Sequence, residues 1–331
     1  MGVFYLLYFF LFFGVLINTK KQSFYLFVSF VILFVLAAFR DVSVGTDTVG
    51  YEMLFNRLVN GIDIRQEFGW VYLNKLIIYF GGGFNYVLIL ASLLALIPVF
   101  YVSKKYSVNP MLSIFLYYSF YIYLQSFNIM RQTIAVGFVL VAYTFLLRKA
   151  YMNYFLIVIL ASFFHITSLL CLPMVFVNKI PDKIPVYLIL IFGSLFLGTF
   201  LGNFIMNKAA FLFGYLHYLD KFDSGVGIGL FIVLVNVFSV FVIFTVKERD
   251  TLFKMFIVYI VFVNLAVAVP FGYRIIFYFT IVQILFLPKF IKSNRFSIKK
   301  VVLIIVILYG YLCFSRSVGS GEVIPYFNTL F

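Results

Sequence analysis

The sequence predicts an all-α, polytopic integral membrane helical bundle, and three observations carry that prediction. Of the 331 residues, 65% are hydrophobic and only 11% are charged, with a mean hydropathy of +1.12, which is more apolar side chain than the core of a water-soluble domain needs. The apolar residues fall in long runs separated by short polar links, and about 20 apolar residues is the length that crosses a hydrocarbon layer as a helix. No link reaches the roughly 50 residues of an independent soluble domain, so residues 1–331 read as a single transmembrane domain.

In chain order, the candidate spans are residues 3–17, 24–39, 84–102, 111–127, 133–147, 186–206, 228–246, 253–270, 275–288 and 301–314. The first has neither preceding charges nor a small-residue cleavage site, so it reads as a retained span and not a signal peptide. Two segments do not fit a simple crossing. Residues 70–80 are short and carry Asn74 and Lys75, as an interfacial helix would, and Gly81, Gly82 and Gly83 then turn the chain into the next span. Residues 153–177 are too long for one simple span and are interrupted by His165, so they read as a re-entrant hairpin or a pair of short helices. Together these segments predict about 10–12 membrane segments.

Charge sets the topology. The net charge of +14 does not point to nucleic acid, because the basic residues sit in short clusters between apolar runs, where they fix orientation. If residues 153–177 enter and return on one side, the cytoplasmic links hold Lys20, Lys21, Lys104, Lys105, Arg148, Lys149, Lys179, Lys183, Lys247, Arg249, Lys254, Lys289, Lys292, Arg295, Lys299 and Lys300. Against them stand only Asp182, Glu248 and Asp250. A single crossing there would invert the rest of the chain and place the cluster at 289–300 outside. The external basic residues are mostly arginine: Arg40, Arg57, Arg65, Arg131, Arg274 and Arg316. Lysine suffices as a topogenic point charge, whereas arginine offers a planar fork suited to phosphate. The external face is therefore the expected working face.

Two external loops follow from this topology, residues 40–69 and residues 207–227. In the first, the Gly, Asp and Thr residues of 44–48 signal a turn, and residues 51–58 have the apolar spacing of a short surface helix. The second carries Tyr215, His217 and Tyr218, either as interfacial aromatics of a solvated loop or as platforms for sugar rings. Gly225, Gly227 and Gly229 are not a nucleotide loop, since no strand precedes them. Cys171 and Cys313 lie in apolar runs and read as packing residues.

An ionisable group at membrane depth is costly, so its default reading is functional. Arg131 and Gln132 stand at the start of an inward-running helix, where free backbone donors and the helix dipole favour an anion. The competing reading is a charge snorkelling from a short link. Arg40 directly ends a span and carries the same two readings. Arg274, beside Tyr273 in a short external turn after Pro270 and Gly272, is a third phosphate candidate. His165 suits a base near neutral pH, against the plainer role of a hydrogen-bonded packing residue. Glu248, Arg249 and Asp250 have the spacing of an acidic metal pair but lie inside and are interrupted by a cation. With no serine elbow, P-loop or Cys/His cluster either, no metal or other cofactor is expected.

Several short motifs fall in a telling order: Phe39-Arg40, then Gly45-Thr46-Asp47 with Tyr51, then Glu67-Phe68-Gly69-Trp70. After these come Arg131-Gln132 followed by Ala135, and Phe164-His165 with Ser168 and Pro173. In order and spacing the chain resembles the EpsG/Wzy group of bacterial polysaccharide polymerases over residues 25–180, with a weaker echo at Tyr273-Arg274. The resemblance implies a metal-independent glycosyltransferase of the bacterial plasma membrane. It would join polyprenyl diphosphate-linked oligosaccharide repeat units on the external, periplasmic face, in capsule or exopolysaccharide synthesis, with a chain-length regulator protein as a candidate partner.

On that reading Arg40, Arg131 and Arg274 hold the diphosphate, and either His165 or a carboxylate, Asp47 or Glu67, is the base. Glu67, Tyr51, Gln132 and Tyr273 contact sugar or acceptor. The alternative is a transporter or flippase for lipid-linked glycans, which needs the same arginines without the chemistry, or a ligase that shares it. Charge collected at the outer boundary, instead of along a route through the bundle, favours the enzyme.

Overall fold

The computed structural model describes residues 2–17, 19–201, 229–268, 272–318 and 323–329. Among them the chain is helical, and a lone antiparallel bridge between Arg40 and Asn328 is its one trace of β pairing. The helices of the N-terminal half are α1 (Gly2–Leu16), α2 (Thr19–Ala38), α3 (Thr48–Val59), α4 (Phe68–Tyr79), α5 (Phe84–Tyr106), α6 (Pro110–Ser119), α7 (Ile122–Gln125), α8 (Met130–Leu147) and α9 (Tyr151–Ser162). A 3-10 segment, Ile166–Lys179, follows, and then α10 (Ile184–Phe196), which ends in a π turn at Leu197–Leu201. The remaining helices are α11 (Leu230–Thr245), α12 (Thr251–Leu265) with a 3-10 turn at Ala266–Ala268, α13 (Gly272–Thr280), α14 (Gln283–Ser293) and α15 (Phe296–Val318).

Among the described residues, five stretches are long and apolar enough to cross a membrane: Lys21–Ala38, Phe84–Tyr106, Met130–Leu147, Arg274–Ser293 and Ile298–Ser315. Six further apolar helices among them are shorter. Large apolar side chains such as Leu6, Phe24 and Ile304 are exposed, as lipid-facing positions of a multi-pass membrane protein should be.

Most predicted segments are recovered, with instructive differences, and the span expected over 275–288 is divided at Ile281 and Val282 into α13 and α14. Residues 70–80 form α4, and the helix expected over 51–58 is α3. Residues 153–177 are broken at Phe163–His165 into α9 and the 3-10 segment, the paired short helices expected. The span expected over 111–127 is not one helix. Tyr121 adopts a left-handed conformation, φ 72°, and divides α6 from α7; the break is tolerated because α6 and α7 are buried, so neighbouring protein, not lipid, meets the freed backbone groups. The external loop expected at 207–227 lies outside the described residues.

The chain divides into two compact units, Met1–Leu172 with Leu287–Phe331, and Pro173–Phe286. In the first, α3 and α4 pack on the beginnings of α5 and α8 through Tyr51, Phe55, Trp70, Ile77, Phe84, Val87, Met130 and Ile134. Gly137 of α8 lies against α5, where an added Cβ would meet the Ala95 carbonyl at 3.2 Å and Pro98 at 3.4 Å. Buried phenols in this unit donate to backbone carbonyls, Tyr118 to Phe4 at 2.7 Å and Tyr123 to Leu33 at 2.8 Å, which removes the cost of burying a polar hydroxyl. In the second unit, α10, α11 and α12 meet around Asn236 and Asn264, which exchange side-chain hydrogen bonds at 2.7 and 2.9 Å.

A candidate acid–base and anion-binding site

The site forms where three chain breaks meet in the first unit. Glu67 occupies the N-cap position of α4, in extended backbone, but its side chain does not cap the helix. It reaches across to two other elements instead. One carboxylate oxygen, Oε2, pairs with Arg131 Nη1; the other, Oε1, lies 2.8 Å from His165 Nδ1 and accepts a longer contact, 3.4 Å, from the Ile166 backbone N–H. Arg131 is the second residue of α8, and His165 stands at the break after α9.

The local backbone explains why these groups meet. The Gly69 N–H donates to the Phe163 carbonyl at 2.7 Å, and a Cβ on Gly69 would lie 2.8 Å from that same oxygen. Only a residue without a side chain lets the start of α4 approach the end of α9 so closely. Phe68 packs edge-on against Phe163, and Phe138 of α8 stacks on Phe164, so α4, α8 and α9 are fixed to one another immediately beside the polar groups.

A second stitch holds the other side. Gly45 has φ +95°, a left-handed conformation, and an added Cβ would fall 2.6 Å from the Phe127 carbonyl. Thr46 Oγ1 donates to Asn128 Oδ1 at 3.0 Å, and Thr48 Oγ1 donates to the Phe127 carbonyl at 3.0 Å. The turn that opens α3 is thereby tied to the turn that opens α8. Tyr51 of α3 follows from this placement, its ring lying 5.9 Å from Arg131 Cζ and edge-on to buried Trp70.

The electrostatics are those of a partly shielded cluster. The side chains of Arg131, Glu67 and His165 keep 21%, 16% and 23% of their surface exposed. Burial acts to raise the pKa of Glu67, but the hydrogen bond from His165 and the charge of Arg131 outweigh it and hold the carboxyl down at about 2. Glu67 is therefore ionised at neutral pH, and an ionised carboxylate only accepts. The proton on the shared His165 edge must then sit on Nδ1, which leaves Nε2 as the basic nitrogen whenever the ring is neutral. Burial pushes the Tyr51 phenol up while Arg131 pulls the other way, so Tyr51 stays a neutral hydroxyl. The arrangement offers an oriented base beside a cation at a helix N-terminus.

The other residues singled out in the sequence are placed differently. Arg40 neither snorkels nor faces solvent: it is 1% exposed, bonded through its guanidinium to the Ala37 and Phe127 carbonyls and set 5.0 Å from the Phe127 ring centre. The segment that covers it is the chain's end, where the Asp41 N–H donates to Phe327, the Thr329 N–H donates to Phe39, and the Tyr326 hydroxyl donates to Leu36. Asp47 is a half-buried residue at the N-cap position of α3, one turn before Tyr51. Gln132 is buried within α8, 2% exposed, and does not face an open surface. Arg274 lies in the first turn of α13, in the second unit, and the Tyr273 side chain is outside what is described. Among the described residues, no three His, Cys, Asp or Glu side chains gather as metal ligands.

Fold and site together define a polytopic helical membrane protein that carries an Arg–Glu–His cluster where the breaks at α4, α8 and α9 meet. The chain belongs to the EpsG family, whose pattern it matches over residues 23–328, nearly its whole length, and membership points to a role in polysaccharide polymerisation. No curated protein and no solved structure matches it.

Proposed function

We propose that the protein is a glycosyltransferase that polymerises lipid-diphosphate-linked oligosaccharide repeat units at the external face of a bacterial plasma membrane. The observation that carries this reading is that one carboxylate, Glu67, engages both Arg131 and His165. Arg131 binds the donor's diphosphate, aided by the N-terminus of α8. His165 Nε2 takes the proton of an acceptor sugar hydroxyl as its oxygen attacks the donor's anomeric carbon. The bond between that carbon and the diphosphate oxygen breaks, and the lipid diphosphate leaves with the electron pair, its added charge balanced by Arg131.

Glu67 holds the histidine tautomer and is itself not the base, because a carboxyl held near a pKa of about 2 is a weak proton acceptor at neutral pH. Arg40, whose guanidinium meets the Phe127 carbonyl and the Met130 sulfur, contributes positive charge near the start of α8, and Tyr51 presents a hydroxyl beside Arg131. Asp47 is an orienting group for sugar hydroxyls. Arg274 is a separate phosphate candidate within the second unit. Chain length is set with a separate regulator.

The test is the length distribution of the host's surface glycan on a gel, compared between wild type, a deletion, His165→Ala and Arg131→Ala at matched protein levels. Collapse of the ladder to single repeat units in all three supports polymerisation at this site. Glycan trapped inside the cell in the deletion strain would instead identify a transporter. An unchanged ladder in both point variants would remove the assignment of the site.

A further inference from the structure

At the opposite end of α8 from Arg131 lies a second cationic cluster that the proposed chemistry does not use. The helix has 18 residues, so its two ends stand about 27 Å apart, near the thickness of a hydrocarbon layer, and the two clusters cannot share one ligand. Lys104 and Lys105 close α5, and Arg148 and Lys149 close α8; all four are exposed.

Cations at helix C-termini need no special explanation, since the dipole and the positive-inside rule both favour them. Two of these four do something more. Lys105 Nζ lies 5.6 Å from the centre of the Tyr106 ring, and Arg148 Cζ lies 5.4 Å from the same centre. Two like charges from different helices thus converge on one ring. Among the described residues neither is paired with a carboxylate. Left alone, long flexible cations spread apart to lower their repulsion.

Both side chains are also held in place. Lys105 donates to the Tyr101 hydroxyl at 2.9 Å. Arg148 Nε donates to the Thr144 carbonyl at 3.1 Å, and its guanidinium lies 4.7 Å from the Phe145 ring centre. These contacts fix the stems while leaving two ammonium N–H groups and the terminal guanidinium fork to bind an anion. Just past the end of α8, Lys149 adopts φ 59°, where glycine would carry no steric penalty.

We infer that Lys105 and Arg148, converging on Tyr106 with Tyr101 behind them, form a binding site for a phosphate group, the chemistry shared by an anionic lipid headgroup and by free phosphate. The site is independent of the proposed transferase activity and sits on the other membrane surface.

Full-length protein in a neutral detergent is titrated with short-chain phosphatidylglycerol, phosphatidylcholine and inorganic phosphate, and bound molecules are counted by native mass spectrometry. The anionic lipid is expected to bind at one site, about tenfold more weakly in Lys105→Gln/Arg148→Gln. Lys104→Gln/Lys149→Gln removes the same charge without touching the Tyr106 ring and should change binding by less than about twofold. Lys105→Arg/Arg148→Lys, which keeps both charges, should bind and thereby shows that loss in the glutamine variant is not misfolding. Displacement of the lipid by inorganic phosphate identifies free phosphate as a sufficient ligand; lipid binding without displacement assigns the site to the headgroup. Equal weakening in both glutamine variants, or equal binding of the two lipids by wild type, overturns the proposal.

Discussion

Glu67 Oε1 lies 2.8 Å from His165 Nδ1 across 98 positions of sequence, while its other oxygen holds Arg131. Glu67→Gln keeps the shape of the side chain and removes its charge. It should slow repeat-unit transfer by about 100-fold or more, the scale of a disabled general base, because the histidine tautomer is no longer fixed by a carboxylate. Transfer is measured as the rate at which a lipid-linked repeat unit is elongated in reconstituted membranes. A variant that elongates at the wild-type rate would show that the carboxylate only supports the fold.

Acid stability should report the same group. Glu67 is held at about 2 against an ordinary value of 4.5, so the folded state prefers the ionised form. A depressed carboxyl contributes its stability above the unfolded value and loses it as the pH falls through the folded one. The unfolding temperature in detergent should therefore fall more steeply between pH 4.5 and 2 in wild type than in Glu67→Gln. Above that window the two curves should run parallel.

The fold was legible in the sequence where apolar run length and helix-end charge decide the outcome. Arg131 at the start of α8 and the break at His165 are both marked by polar residues inside apolar surroundings, which lipid does not tolerate without reason. The bridge made by Glu67 was not legible. Its partners are 64 and 98 positions away, and the close approach that joins them depends on Gly69 meeting Phe163, which no local pattern encodes. Tyr121 broke the expected span at 111–127 without a glycine or proline to announce it. Arg40 looked like a boundary charge because nothing in the composition of 323–329 indicates that this tail folds over it.

Gly45 and Gly81 offer a controlled comparison, since both have left-handed φ values, +95° and +74°, but only Gly45 is crowded, with Phe127 O 2.6 Å from an added Cβ. Gly81→Ala should cost about 1 kcal/mol from backbone strain alone. Gly45→Ala adds a clash with backbone and should cost about 3 kcal/mol, detaching the turn before α3 from the turn before α8. Thermal unfolding in detergent measures both. Equal costs would mean that the Gly45–Phe127 approach is looser than it looks.

The second unit carries its own test in Asn264, whose two amide hydrogens are shared among the Ile191 carbonyl at 3.0 Å, the Ser194 hydroxyl at 3.2 Å and the Asn236 side-chain oxygen at 2.9 Å. Without a hydrophobic drive between helices in lipid, such bonds and close packing supply the association, each bond being worth about 0.6 to 1.7 kcal/mol. Asn264→Leu should destabilise the unit by about 2 kcal/mol, because it leaves the Asn236 side-chain oxygen buried without its partner and the Asn236 amide with only the Ile232 carbonyl. Asn236→Leu should cost less, since Asn264 keeps Ile191 and Ser194. The double variant should cost about 1 kcal/mol less than the two single costs added together, because the pair interaction is then lost only once. Strict additivity in unfolding free energies would show that the two amides act separately and that α11 is held to α12 by packing alone.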